Sequence, residues 1–189
     1  MTSSSNSSSL DPATELVQFV DDMIIQHDYP GFEPRAFKIG LPEHLVQGSG
    51  RMFGEALENE SIYVRIAALR WFQEKTGAIK PFIKTIIALT EHEDPWIRYE
   101  ASQTLERHLN PTIIIAETVA RLLKDPEVFV RRGAARGLAK ILPRLKEGKT
   151  PDEKLTVVIA ALQEALVDSD GNVRQKAEKA LRRGGYFAG

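Results

Sequence analysis

Four segments of the chain share one pattern of apolar and polar positions. Each segment begins with a β-branched residue, which we call the anchor. Arginine lies one place after the anchor, alanine four places after it and a large apolar residue eight places after it. The anchors are Val64, Ile97, Val130 and Val173. Positions i, i+4 and i+8 lie on one side of an α-helix, so the pattern predicts four amphipathic helices. No segment alternates with period two, as a half-buried strand would.

A second helical stretch precedes each of these segments. These stretches are residues 43–57, which glycines interrupt, and residues 79–89, 111–123 and 152–162. One pair of helices cannot bury its apolar stripe alone, so the pairs are expected to stack. The first three anchors are 33 residues apart and the last gap is 43 residues, and we expect residues 143–154 to form a loop that takes up the difference.

The predicted fold is an all-α, right-handed α-solenoid of about four helix pairs with an N-terminal capping helix. Residues 1–10 form a serine-rich tail that we expect to be disordered. Residues 11–42 hold the capping helix, which begins at Asp11-Pro12, and a loop. Residues 43–184 form the repeat domain, and residues 185–189 form a C-terminal tail.

The repeated Val-Arg-x-x-Ala core with an aspartate before it, as in Asp125 and Val130 to Ala134, resembles HEAT repeats. The short repeats of phycobilisome lyases are the most similar type. The signatures of ankyrin and tetratricopeptide repeats, which have a similar length, are missing. The resemblance covers about residues 43 to 184 and is more informative about fold than about function.

The resemblance implies a ladder in which each arginine that follows an anchor pairs with an acidic residue of an inter-helix turn. Arginine suits this role because its planar fork holds two acceptors at once. The predicted ladder residues are Arg65, Arg98, Arg131, Arg174, Asp94, Asp125, Asp168 and Asp170.

Positions two, six and ten after each anchor lie opposite the apolar stripe, on the side that is usually concave in HEAT repeats. In the last two repeats no such position is acidic. We interpret this stripe, with two neighbouring aromatic residues, as a surface for an acidic partner, and an ordinary solvated face is the alternative. The predicted partner-binding residues are Arg107, Arg132, Arg136, Lys140, Lys179, Arg183, Trp96 and Tyr99. Stacking between repeats is the alternative role of the aromatic residues.

Composition narrows the possible chemistry. The chain has no cysteine, which excludes disulfides and thiolate metal sites and suits a cytoplasmic location. The four histidines show no metal-binding spacing, so neither a metal nor a cofactor is expected. No apolar run is long enough to span a membrane. Residues 1–130 hold 12 basic and 19 acidic groups, whereas residues 131–189 hold 13 basic and 7 acidic groups, so positive charge is concentrated in the C-terminal part.

These features favour a non-catalytic scaffold or adaptor that binds another protein. One alternative is a lyase-like or chaperone-like protein acting on bilin-carrying proteins, which rests on the resemblance to phycobilisome lyases. The other is a HEAT-like alkylpurine DNA glycosylase, for which Arg132, Arg136, Trp96 and Glu100 are candidate residues. The negative overall charge speaks against nucleic acid, because duplex-binding proteins usually carry a broad basic surface.

Overall fold

A computed structural model of the chain describes residues 11–26, 42–47 and 50–186. All regular elements in these residues are helical, which confirms the predicted all-α class. The chain divides into two compact units, residues 1–68 and 69–189. The predicted serine-rich tail, most of the predicted N-terminal loop and the last three residues lie outside the described residues.

The first unit contains three helices and the start of a fourth. They are α1 (Pro12–Gln26), α2 (Glu43–Val46), α3 (Gly50–Ala56) and α4 (Ile62–Glu74), which continues into the second unit. Asp11 accepts hydrogen bonds from the N–H groups of Ala13 and Thr14, at 3.0 and 3.2 Å, and so caps α1 as predicted. Helix α1 packs on α3 and buries Leu16 and Val20. This contact suits the predicted role of a capping helix.

The helical stretch predicted over residues 43–57 is interrupted in the structure. The structure has two short helices there, because α2 ends at Val46 and α3 begins at Gly50. Glycine weakens a helix interior by roughly 1 kcal/mol relative to alanine, which accounts for the interruption. Gly48 lies outside the described residues.

The second unit stacks helix pairs. Its helices are α5 (Ile83–Leu89), α6 (Pro95–Arg107), α7 (Ile113–Arg121), α8 (Val128–Glu147), α9 (Thr156–Glu164) and α10 (Gly171–Gly184). Helix α8 packs between α6 and α10, and α7 packs on α8 and α9. The alanines of the repeated pattern in this unit are fully buried: Ala101, Ala134 and Ala177, as is Ala68 at the end of the first unit. Small residues at these places allow close helix approach, so stacking explains the repeat.

Aspartates of the inter-helix turns cap two helices of the second unit. The carboxylate of Asp94 accepts the N–H groups of Trp96 and Ile97 at the start of α6. Asp170 caps α10 in the same way. Asp125 does not cap α8, because this helix begins after Glu127, whose side chain makes no capping bond.

The loop predicted over residues 143–154 is wrong for residues 143–147. Helix α8 continues through Pro143 to Glu147, and only a short segment joins it to α9. Proline removes one backbone hydrogen bond and usually kinks a helix. Here Leu142 and Leu145 continue the buried stripe on either side of Pro143. Burial of each leucine stabilises by about 1.5–3 kcal/mol, which offsets the cost of proline.

Candidate interaction surface

Arg98 joins its repeat to the next by an ion pair with Asp125. Its Nε and Nη2 donate to the two carboxylate oxygens at 2.7 and 2.9 Å. Its Nη1 donates to the carbonyl oxygens of His92 and Glu93 at 2.9 and 2.8 Å. The hydrogen bond to Asp125 raises the pKa of Arg98, although burial opposes the charge. The Asp125 side chain is only 3% exposed, so this pair is shielded from solvent.

Arg131 repeats this geometry one repeat further on. Its Nε and Nη2 donate to Asp168 at 2.9 and 3.3 Å, and its Nη1 donates to the carbonyl oxygens of Asp125 and Pro126. Burial favours the neutral form of Asp168. Hydrogen bonds from Arg131 and from the N–H of Asp170 outweigh it and hold the pKa of Asp168 below its usual value. The carboxylate therefore stays charged near neutral pH.

A second cation at the same interface, Arg132, pairs with Asp170. Its Nε and Nη2 lie 2.9 and 2.5 Å from the carboxylate oxygens. This hydrogen bonding is the main reason that the pKa of Asp170 lies well below its usual value. Because Asp170 also caps α10, one side chain both starts this helix and ties it to α8.

The first and last arginines of the predicted ladder contact backbone oxygens. Arg65 donates to the carbonyl oxygen of Asn59. Arg174 donates to the carbonyl oxygens of Asp168 and Ser169, at 2.7 and 3.1 Å. No carboxylate in the described part of the chain is within ion-pair distance of Arg174. The expectation that Arg174 has an acidic ladder partner is therefore wrong for the described residues.

The six cations of the predicted stripe all lie on the helices that pack side by side through α8. They are Arg107 on α6, Arg132, Arg136 and Lys140 on α8, and Lys179 and Arg183 on α10. We call the exposed side of this layer, with these cations and Trp96 and Tyr99, the α6–α8–α10 face.

Two of the six cations are neutralised by neighbouring carboxylates. Arg132 pairs with Asp170, and Lys140 donates to Glu106, whose side chain is 3% exposed. The other carboxylate oxygen of Glu106 is buried and has no hydrogen-bond partner among the described residues. The stripe is therefore less basic than positions two, six and ten alone predict, because these acids occupy other positions of the adjacent helices.

Four cations have no carboxylate partner among the described residues, and all four are exposed: Arg107, Arg136, Lys179 and Arg183. Arg136 donates to the hydroxyl of Tyr99, at 3.0 Å, and to the side-chain oxygen of Gln103. Arg107 donates to the carbonyl oxygen of Gln73 at 3.3 Å. These uncharged acceptors orient the side chains and leave their charge available.

An aromatic cluster lies at the start of α6 and α8. The rings of Trp96 and Phe129 stack with centroids 4.2 Å apart, and Tyr99 meets both edge-on. Offset and edge-to-face pairs of this kind contribute about 0.5–1.5 kcal/mol each beyond area burial. The cluster thus stabilises the contact between two repeats, while its half-buried rings keep part of their surface open.

The sequence model of HEAT repeats matches residues 83–182 of this chain, which include α5 to α9 and most of α10. The chain belongs to the HEAT-repeat family. This finding confirms the family resemblance that the repeated arginine and alanine positions indicate. No curated protein sequence matches the chain significantly.

Solved structures similar to this HEAT-repeat protein include engineered proteins and a designed armadillo repeat protein. One engineered protein is 20% identical with a TM-score of 0.60, covering 93% of this chain and 75% of its own. A second is 25% identical with a TM-score of 0.56, covering 72% of this chain and 63% of its own. A designed armadillo repeat protein is 13% identical with a TM-score of 0.56, covering 94% and 96%. These similarities support the helical repeat fold.

The HEAT register shows a structural position that the sequence argument missed. The residue five places before each anchor accepts the N–H of the residue two places after itself, at 2.8 to 3.0 Å. These residues are Asn59, His92, Asp125 and Asp168. In the last two, the same carboxylate also holds an arginine of the preceding repeat. Aligning the repeats five places before the anchor reveals the position.

Glu100, the candidate catalytic acid of the glycosylase alternative, lies in a HEAT helix interface. Arg70 donates to it from Nε and Nη2 at 3.0 and 2.7 Å, and Gln73 donates at 2.8 Å. Its side chain is 5% exposed. The Glu100 carboxylate is buried and accepts three hydrogen bonds, so it is not exposed on the α6–α8–α10 face. This geometry does not favour Glu100 as a catalytic acid.

The described residues contain no group of three or more histidine, aspartate or glutamate side chains placed to bind a metal ion. None of the helices in residues 11–26, 42–47 and 50–186 combines the length and apolar composition that a membrane crossing requires.

Proposed function

We propose that this HEAT-repeat chain is a non-catalytic interaction module that binds an acidic partner protein across the α6–α8–α10 face. Stacked helical repeats present extended surfaces that suit this role. The observation that carries the proposal is the set of four exposed cations without a carboxylate partner, distributed over three adjacent helices.

Charge and aromatic surface occur together on this face. Arginine and aromatic side chains are enriched at protein interfaces, where they supply most of the binding free energy. The ring of Tyr99 is held by Phe129, and its hydroxyl accepts a hydrogen bond from Arg136. An ordered pair of this kind loses little conformational entropy when a partner binds.

The family match and the fold identify HEAT repeats. Neither of them supports the lyase-like or the glycosylase alternative. The lyase-like alternative rests on resemblance alone, and the glycosylase alternative lacks an accessible acid at Glu100. The interaction module therefore remains the proposal.

A charge-reversal variant tests the proposal. In it, Arg136, Lys179 and Arg183 are replaced by glutamate. The probe is a fluorescent peptide in which aspartate alternates with glycine, and binding is measured by fluorescence anisotropy at low and physiological salt. We expect the wild type to bind, the variant to lose at least about tenfold in affinity, and binding to weaken as salt screens the charges. Unchanged affinity in the variant contradicts the proposal.

A matched control replaces Lys80, Lys84 and Lys154, which are exposed cations outside the α6–α8–α10 face, by glutamate. The change in net charge is the same, so this variant should keep most of the affinity. Equal loss in both variants would assign binding to overall charge. In a pull-down from an extract of the native host, quantified by mass spectrometry, the wild type and the control variant should retain acidic proteins. The charge-reversal variant should not retain them.

A further inference from the structure

Three arginines of the second unit are held in the same orientation by their own turns. Each lies one place after an anchor, and its Nη1 donates to the carbonyl oxygens six and five residues earlier, at 2.7 to 3.1 Å. These arginines are Arg98, Arg131 and Arg174. The two carbonyl contacts fix one edge of the guanidinium group and leave Nε and Nη2, on the other edge, for a second partner.

The second edge is occupied in only two of the three. Arg98 and Arg131 use Nε and Nη2 to hold both oxygens of an aspartate from the following turn. Arg174 is exposed, and its Nε and Nη2 have no carboxylate partner among the described residues. Its orientation is therefore preset, in the geometry that twice binds a carboxylate elsewhere in this chain.

We propose that Arg174 is a docking site for an acidic turn of another protein. The turn places an aspartate against Arg174 in the way that Asp168 meets Arg131. Two parallel N–H···O bonds to a charged carboxylate are stronger and more directional than neutral hydrogen bonds. Arg174 is not one of the residues of the α6–α8–α10 face, and this site does not depend on the function proposed for that face.

The surroundings of Arg174 agree with an acidic occupant. The same side of α10 exposes Arg182, two helical turns after Arg174. Its one acidic residue, Glu178, pairs with Arg182 at 2.9 Å, so the charge of this side remains positive. A polar, cationic helix side favours reversible and salt-dependent docking over permanent apolar packing.

The test follows the side-chain Nε–H signals of arginine by nuclear magnetic resonance in the ¹⁵N-labelled full chain. The probe is a blocked peptide with the sequence of residues 165–171, which contains the Asp-Ser-Asp turn. The control peptide carries asparagine at both aspartates. The variant Arg174→Lys assigns the Arg174 signal and keeps the charge while removing the two-bond geometry.

We expect the aspartate peptide to shift the Arg174 signal saturably, with a dissociation constant on the order of a millimolar, as suits a single two-bond contact. The occupied Arg98 and Arg131 should not respond, and Arg121, an exposed cation on α7 outside the α6–α8–α10 face, should respond only weakly. The asparagine peptide should have no effect, and Arg174→Lys should weaken binding at least about tenfold.

Three results would overturn the proposal. The first is no Arg174 shift at saturating peptide, and the second is an equal shift of Arg174 and Arg121, which indicates unspecific charge attraction. The third comes from sedimentation of the chain alone. A concentration-dependent dimer that Arg174→Ala abolishes would show that a second copy, rather than another protein, occupies the site.

Discussion

The ladder arginines offer a comparison within one chain, because the same residue type occupies the same repeat position with and without a carboxylate partner. We expect Arg98→Ala to destabilise the protein strongly and Arg174→Ala to have little effect. Both substitutions remove two bonds to carbonyl oxygens, and only Arg98→Ala also strands a carboxylate.

The magnitude follows from the surroundings of Asp125. Without Arg98, its carboxylate keeps one hydrogen bond, from the N–H of Glu127 at 2.9 Å, while its side chain stays 3% exposed. Removing one partner of a buried ion pair typically costs about 3–5 kcal/mol. Arg98 is 12% exposed, and water can partly replace it, so we expect about 3 kcal/mol. For the exposed Arg174 we expect less than about 1 kcal/mol, since water can satisfy the freed carbonyl oxygens.

Urea unfolding followed by far-ultraviolet circular dichroism measures both free energies of unfolding, provided that the slope with denaturant stays constant. The double variant Arg98→Ala with Asp125→Ala should lose about 2 kcal/mol less than the sum of the two single variants, because no stranded charge remains. Equal losses for Arg98→Ala and Arg174→Ala, or additive losses in the double variant, would refute the reasoning.

Two further predictions concern α8. A Cβ atom at Gly133 would lie 2.8 Å from the ring of Tyr99, whereas one at Gly137 would meet nothing closer than 3.6 Å. Gly133→Ala should therefore destabilise by about 1–3 kcal/mol, and Gly137→Ala should be neutral or stabilising by up to about 1 kcal/mol, in thermal and urea unfolding. Arg132 lowers the pKa of Asp170 below its unfolded value of about 3.9, so this pair stabilises the fold above that pH and the gain is lost as pH falls through the folded pKa. The deficit of Asp170→Asn should be constant between pH 5 and 7 and shrink below about pH 4, and a pH-independent deficit would contradict this.

The sequence predicts the helical repeat because its signal is local. Side chains at i, i+4 and i+8 share one helix face whatever the neighbours are, and Ala101, Ala134 and Ala177 are buried as this requires. The errors concern helix ends. At Pro143, a local rule against proline is outweighed by burial of Leu142 and Leu145, which depends on contacts with other helices.

The candidate site is less predictable because charge pairing is a tertiary property. The sequence identifies the cations of α8, but the carboxylates that neutralise Arg132 and Lys140 come from α10 and α6. The pairing of acids with bases depends on the register between stacked helices. A helical wheel of one helix carries no information about that register. The open edge of Arg174 likewise becomes visible only beside the occupied edges of equivalent arginines.

The double use of the turn aspartates couples neighbouring repeats. Oδ1 of Asp170 accepts a hydrogen bond from Arg132 and also from the N–H groups of Asn172 and Val173, so detaching the repeat also uncaps α10. Separation of α10 from α8 thus breaks the ion pair and the helix cap in one step. Partial fraying of α10 is therefore unfavourable. The repeats from α6 to α10 should therefore exchange their amide hydrogens as a single cooperative block rather than peel off one by one.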